Sequence, residues 1–364
     1  MKVFEVINIL EELAPQQYAE DFDNTGLLVG DRQAEVTNVL VTLDTLEAVV
    51  DEAIAANCNL IVSFHPIIFS GLKKLSGQSY VERTVQKAIK NDINIFAIHT
   101  ALDNAWNGVN AMICEKLRLN KRSILIPQKG TIKKLITFVP KTEANNLREA
   151  LFSAGAGDIG NYSNCSFNHT GEGTFQGNEF SNPSIGNKGE THLEAEVQLS
   201  VTFQKHLQSR IVKALYENHS YEEVAYEITT LENTNQHIGM GMIGELAEEL
   251  SEAEFLAFVK TTMQTGCVRH SALLQKKIKK VAVLGGSGSF AIDAAKAAGA
   301  DAFISSDFKY HDFFKAEKSI LLTDIGHYES EQYTKDLLVS FITKKISNFA
   351  VVLSLTNTNP ISYF

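Results

Sequence analysis

A rhythm in the sequence constrains this chain more than any other feature. Short β-branched apolar runs alternate with amphipathic stretches near both ends of the sequence, and each run gives way to polar residues or glycine. Val39–Leu43, Leu60–Phe64 and Ile93–Ile98 read as strands, with helices over Thr45–Ala56 and Glu82–Lys90 between them. Lys280–Leu284, Ala302–Ser305 and Ser319–Thr323 repeat the pattern late in the chain, with the Ala-rich helix Phe290–Ala298 after the first. Strands separated by helices imply βαβ crossovers around a largely parallel sheet, hence an α/β core.

The texture between these stretches differs. Leu135–Pro140 reads as a strand, Glu143–Ala154 as a helix and Cys165–His169 as the start of another strand. A Gly/Asn-rich loop spans Gly171–Gly189. It is followed by alternation over Glu194–Phe203, a helix over Gln204–Glu217 and a last strand at Val224–Leu231. That order, βαββαβ, is the signature of a ferredoxin-like unit. The expected organisation is a discontinuous core over 1–126 and 237–364, with an inserted domain over 127–236. Three domains in a row would leave each α/β piece too few strands to cover.

With 364 residues, the chain has room for two or three domains. Its formal charge of −10 repels nucleic acid and acidic membranes. Lysines cluster only around Lys276 to Lys280, so neither partner is expected. Cys58, Cys114, Cys165 and Cys267 are far apart and form no C-x-x-C pair, which fits a reducing compartment. MKVFEVINILEEL carries three glutamates within its apolar pattern and reads as an amphipathic helix rather than a signal peptide. No apolar run approaches the roughly 18 residues that span a bilayer. A cytoplasmic location is the expectation.

Ligands of open α/β sheets bind beyond the carboxyl ends of the strands. Here those ends lead into Asp44, His65, His99 with Asp103, Asp307 with His311, and Asp324 with His327 and Glu331. A single Asp at such a point is more often a helix cap. Gathered on one sheet edge, these imidazoles and carboxylates suit a divalent ion such as Zn, Mn, Fe or Co. His327 and Glu331 are four apart and share a helix face.

The competing reading is Gly286-Ser287-Gly288-Ser289-Phe290-Ala291, a G-x-G-x-x-A between strand and helix, with Asp307 as the acidic residue of a dinucleotide site. No second mononucleotide-binding half accompanies it. The glycine-rich loop 171–189 reads as a surface connection, with a phosphate-rich effector as the alternative. P-loop, nucleophile-elbow and H-E-x-x-H motifs are absent from the sequence.

DNTGLLVGD (Asp23–Asp31), SFHPIIFSG (Ser63–Gly71), AIHTALDNAWNGVN (Ala97–Asn110), GGSGS (Gly285–Ser289) and IGHYESE (Ile325–Glu331) together resemble the GTP cyclohydrolase I type 2 homologues, also called NIF-three-like dinuclear-metal proteins. GTFQGNEFSNPSIG and HSYEEVAYEI resemble the PII/CutA-like insertion of longer members. The resemblance implies a three-layer α/β/α core, a toroidal homohexamer and two metal ions. One ion would be held by His65, Asp103 and Glu331, and the other by His327 and a bridging Glu331. Asp23 and Asn24 would lie near the site. His99 would serve as a general acid/base or as a residue orienting Asp103. The activity implied is metal-dependent hydrolysis of a nucleotide or related heterocycle, the alternatives being a non-enzymatic metal-binding, sensor or delivery protein and a Rossmann-type nucleotide enzyme. One departure stands out. Where the family has a His-His pair, this chain has Phe64-His65, so one ion is expected to be tight and the second weak.

Overall fold

The computed structural model of the chain describes residues 1–346 and 349–364. They form two compact units, Met1–Pro127 with Gln236–Phe364, and Gln128–Asn235. No helix among the described residues is long and apolar enough to cross a membrane.

The first unit is α/β and contains two sheets rather than the single sheet expected. In one, the parallel strands Asn94–Ala97, Leu60–Ser63, Val39–Thr42 and Val351–Leu353 are neighbours in that order. Gly26–Val29 closes the sheet antiparallel to Asn94–Ala97. In the other, the parallel strands Lys277–Ser287, Ala302–Ser306 and Leu321–Asp324 are flanked by antiparallel partners. Arg269–His270 lies on one side, and Gly239–Ser251 followed by Asn120–Pro127 on the other.

Each sheet is apolar on both faces, because its parallel strands are short and covered on both sides by helices. Val39, Val41, Leu60 and Val62 face one core, together with Val281, Val283, Ala302 and Ile304 of the second sheet. The helices Val3–Leu13, Val109–Lys116, Glu252–Thr262 and Thr334–Lys345 contribute to the same core. The alternate residues turn outward. Leu40 and Ile61 pack under the helices Glu47–Ala55 and Tyr80–Lys90. Ala282, Phe303 and Leu322 pack under Ile292–Ala297. Strand period 2 therefore splits each apolar run between two cores. Both sheets are thus layered α/β/α, and they share the middle helical layer.

The helix after the glycine run is shorter than expected. The strand continues through Gly285 and Gly286 to Ser287, and a 3-10 turn at Ser289–Ala291 precedes Ile292–Ala297.

The second unit has the element order βαββαβ: strand Ile132–Pro140, helix Ala144–Ser153, strands Ser166–Gln176 and Thr191–Gln204, helix Gln208–Asn218 and strand Tyr226–Thr230. All pairings are antiparallel, and the first and third strands lie in the centre. The expected glycine loop is partly strand, since Gly171 and Gly173 pair with Glu196 and Glu194.

Candidate metal centre

The exits of parallel strands in both sheets of the first unit supply one polar cluster. Beyond Leu60–Ser63, pairing continues as Phe64 and His65 donate their N–H groups to Thr42 and Leu43 carbonyls, at 3.1 and 2.9 Å. The Ser63 hydroxyl donates to the His65 carbonyl at 2.7 Å, which fixes the sharp exit before Pro66. The neighbouring exit supplies His99, which opens the short helix His99–Asp103 with a positive φ of 29°. From the other sheet, strand Leu321–Asp324 leads through Gly326 (φ 89°) into the helix His327–Glu331. A Cβ on Gly326 would sit 2.3 Å from Glu329 Oε2, so the turn requires glycine.

The centre of the cluster is Glu331, 3% exposed. Its Oε2 lies 3.1 Å from His65 Nε2 and 3.2 Å from His327 Nε2. Neither approach has hydrogen-bond geometry, so this buried oxygen has no hydrogen-bond partner. Ligand atoms of the three side chains all lie within 4.8 Å of one another. Asp103 Oδ1 is also buried without a hydrogen-bond partner. Orphaned buried carboxylate oxygens cost about 1–3 kcal/mol each, and two imidazole nitrogens converging on one of them form a donor set for a borderline divalent ion. Spacings near 3.1 Å are close to the tetrahedral edge of about 3.4 Å expected for ligands bound at about 2.1 Å. The residues fit a metal.

The other face of each imidazole is held by a carboxylate. His65 Nδ1 meets Asp44 Oδ1 at 2.8 Å, and His327 Nδ1 meets Asp307 Oδ2 at 2.7 Å. These bonds direct each Nε2 toward Glu331. His99 Nδ1 meets Asp23 Oδ1 at 2.8 Å, and the other Asp23 oxygen accepts from the Thr100 N–H and hydroxyl. His99 is therefore oriented by Asp23 and does not hydrogen-bond Asp103. Asn24 reaches away, donating to the Ile68 carbonyl.

Charge is tightly balanced. Burial disfavours the imidazolium of His65, but Glu331 and Asp44 outweigh it and lift its pKa to about 10. Burial likewise opposes protonation of His327, and Asp307 with Glu331 lifts it to about 11. Glu331 is pushed up by burial and pulled down further, to about 2, by His65 and His327. Burial and then the Glu331 charge push Asp103 well above the usual carboxylate range. Two carboxylates sharing one site separate in this way. For Asp23, burial is outweighed by the hydrogen bonds of His99 and Thr100, which hold it low. Asp307 is held low mainly by His327, against burial.

The glycine run packs against this cluster. A Cβ on Gly286 would sit 2.4 Å from Glu331 Oε1, and one on Gly285 3.3 Å from Glu331 Cγ. The Gly285 N–H donates to Asn110 Oδ1 at 3.0 Å and the Gly286 N–H to Ser330 Oγ at 2.9 Å. Those donors are spent inside the protein, and Asp307 is engaged with His327 and Ser287. Gly285 and Gly286 make room for Glu331, and their own N–H groups are engaged within the protein rather than offered to a phosphate.

Two of the polar strand-end residues lie in other contacts. His311 is edge-on to Tyr310, and Asp324 accepts from Arg269 and the Phe308 N–H. Sequence reasoning missed the orienting roles of Asp44 and Asp307. Register is the signal that finds the first. Thr42 pairs with Ser63, so Asp44 and His65 each stand two residues past paired positions. It missed Thr358 entirely, whose hydroxyl donates to Asp44 Oδ2 at 2.5 Å.

The chain matches the model of the Duf34/NIF3 (NGG1p interacting factor 3) family over residues 1–360. It is 38% identical to the GTP cyclohydrolase 1 type 2 homolog of Bacillus subtilis, covering 99% of this chain and 98% of that one. The protein of the same name from Staphylococcus aureus (strain COL) is 33% identical with full coverage of both, 100% each. A solved Bacillus cereus protein related to NIF3 superposes with a TM-score of 0.86 at 36% identity, covering 100% of this chain and 99% of that one. A Staphylococcus aureus structure gives a TM-score of 0.79 at 31% identity, again covering 100% and 99%. A match of this extent, in sequence and in fold, makes the chain a member of the Duf34/NIF3 family.

Proposed function

We propose that the protein binds divalent metal and uses it to hydrolyse a nucleotide or related heterocycle. The observation that carries this reading is the convergence of His65 Nε2 and His327 Nε2 on the buried, unbonded Oε2 of Glu331. On this reading His65, Asp103 and Glu331 hold one ion, and His327 with Glu331 holds another. Zn, Mn, Fe and Co suit the donor set. A bound divalent ion lowers the pKa of its water and polarises the group under attack.

The chain's own residues supply the proton chemistry. Asp23, ionised and held by Thr100, accepts the Nδ1 proton of His99 and fixes its tautomer. That leaves His99 Nε2 as the atom that takes up or returns a proton. The His99 ring is 5.3 Å from the His65 ring, beside the ligand set. The relatives' name, GTP cyclohydrolase 1 type 2 homolog, supports a purine nucleotide as the first substrate to test. The reading includes a homohexamer, measurable by light scattering.

One observation favours a non-enzymatic metal-binding role instead. Phe64 is fully buried where the second ion would take a histidine, and a site with two protein ligands is weak for two-metal chemistry. Metal-reconstituted protein incubated with a nucleotide panel, with products read by mass spectrometry, separates the two. Ring-opened or hydrolysed product, lost in His99→Ala, supports the enzyme. Retained metal without turnover on any nucleotide supports the binding protein.

A further inference from the structure

A cavity of about 780 Å³ lies within the inserted unit, inside the size range of small-molecule sites. It plays no part in the metal reading. Its walls come from Phe138, the strand Ser166–Gln176, the turn that follows it, the strand Thr191–Gln204 and residues 221–225.

The lining is one-sided in charge. Glu172, Glu196, Glu222 and Glu223 contribute to it, and no Lys or Arg does. Aromatic rings supply the apolar surface. Phe175 and Tyr221 meet edge-on at 5.6 Å, and Phe180 is 86% exposed beside them.

Glu196 decides the chemistry. It is 9% exposed, and one oxygen accepts the Tyr221 hydroxyl at 2.7 Å. The other oxygen has no hydrogen bond, and the carboxylate has no ion pair, among the described residues. A Cβ on Gly173 would sit 2.2 Å from that second oxygen, so glycine there is what gives the carboxylate room. With no Lys or Arg in the cavity wall, this carboxylate favours a ligand of opposite charge. A ligand ammonium would supply the missing charge, and the rings would hold it by cation–π contact.

We propose that this cavity binds a small organic cation, one or more ammonium groups on an apolar or aromatic body. A phosphate-rich effector, the reading the glycine-rich sequence invites, would face four carboxylates with His169 as the one imidazole and no Lys or Arg in the wall.

The test is calorimetric titration of the full chain with phenethylamine, with spermidine, and with ATP as the anionic comparison. Saturable binding of an amine at one site per chain is expected, with ATP silent at this unit. Glu196→Gln, nearly isosteric, should weaken the amine at least about tenfold, the scale of a lost charge-assisted hydrogen bond. Glu172 is exposed, so Glu172→Gln tests the same field without risk to folding and should weaken binding several-fold. The proposal is overturned if neither amine binds, if both variants bind as the parent does, or if ATP competes for the site.

Discussion

The carboxylate of Glu331 stands 3.1 Å from the imidazole of His65, although the two come from different sheets at opposite ends of the chain. A buried carboxylate beside two imidazoles is the arrangement on which the proposed metal site rests. Glu331→Gln keeps the shape and removes the charge that the reading places between two ions. Metal retained after dialysis should fall several-fold, and the rise in Tm on adding metal should shrink. Unchanged metal content would remove Glu331 from the site.

Gly286 makes a second, sharper test. Its φ is 70°, and a Cβ there would meet Glu331 Oε1 at 2.4 Å. Gly286→Ala should displace the carboxylate and cost about 1–3 kcal/mol from the left-handed backbone and the clash together. Metal content should fall with it. If stability drops while metal binding is untouched, the glycine serves the backbone alone.

The gathering of polar residues at the strand ends was legible in the sequence because apolar runs stop where His65 and His99 begin, and His327 follows a few residues past another. The division into two sheets was not. Val41 and Val283 alternate in the same way whether their strands share a sheet or face each other across a core. Val351–Leu353 returns to pair with Val39–Val41, a contact that leaves no local trace. Gly239–Ser251 was missed because its glycines and glutamates resemble a loop until Asn120–Pro127 and Lys277–Ser287 pair with it. The roles of Asp44 and Asp307 depend on which carboxylate faces which ring. That follows from register rather than composition.

Glu52 pins the end of the chain. It accepts from the hydroxyls of Ser354 and Thr356, at 2.7 and 2.6 Å, and from the N–H groups of Leu355 and Thr356, at 2.7 and 3.3 Å. Burial raises its pKa, but these donors outweigh burial and hold it below the ordinary value. A depressed folded pKa gives stabilisation that is complete above the unfolded value and is lost as pH falls through the folded one. Hydrogen exchange at 354–358, corrected for intrinsic rates, should therefore lose protection as the solution is acidified through the carboxylate range. Glu52→Gln should be poorly protected already at neutral pH. A pH dependence that persists in this variant would point to another group.

Deleting residues 128–235 should leave a folded metal-binding unit. Pro127 and Gly239 are partners on adjacent antiparallel strands, about 5 Å apart between Cα atoms, so a short turn can join the cut ends as a hairpin. The shortened protein should remain soluble and unfold cooperatively, and it should retain as much metal per chain as the parent. Aggregation of this joined chain would show that the core depends on the insertion.

The last prediction comes from Phe64, where the resemblance led to the expectation of a histidine. Phe64 is fully buried, its ring 4.8 Å from the His65 ring and 5.6 Å from the His99 ring. A phenyl group offers no lone pair, so an ion bound by His327 and Glu331 lacks its third protein ligand. Affinity at such a site depends on ligand number and geometry. Unmodified protein should therefore keep about one equivalent of metal per chain after exhaustive dialysis, with a second bound only in excess metal. Phe64→His restores a nitrogen donor in the same buried position and should raise the retained metal toward two. The variant also buries a polar ring, so its metal-free form should be less stable than the parent and should recover on loading. Elemental analysis decides it. Two equivalents in the unmodified chain would mean that another group completes the second site.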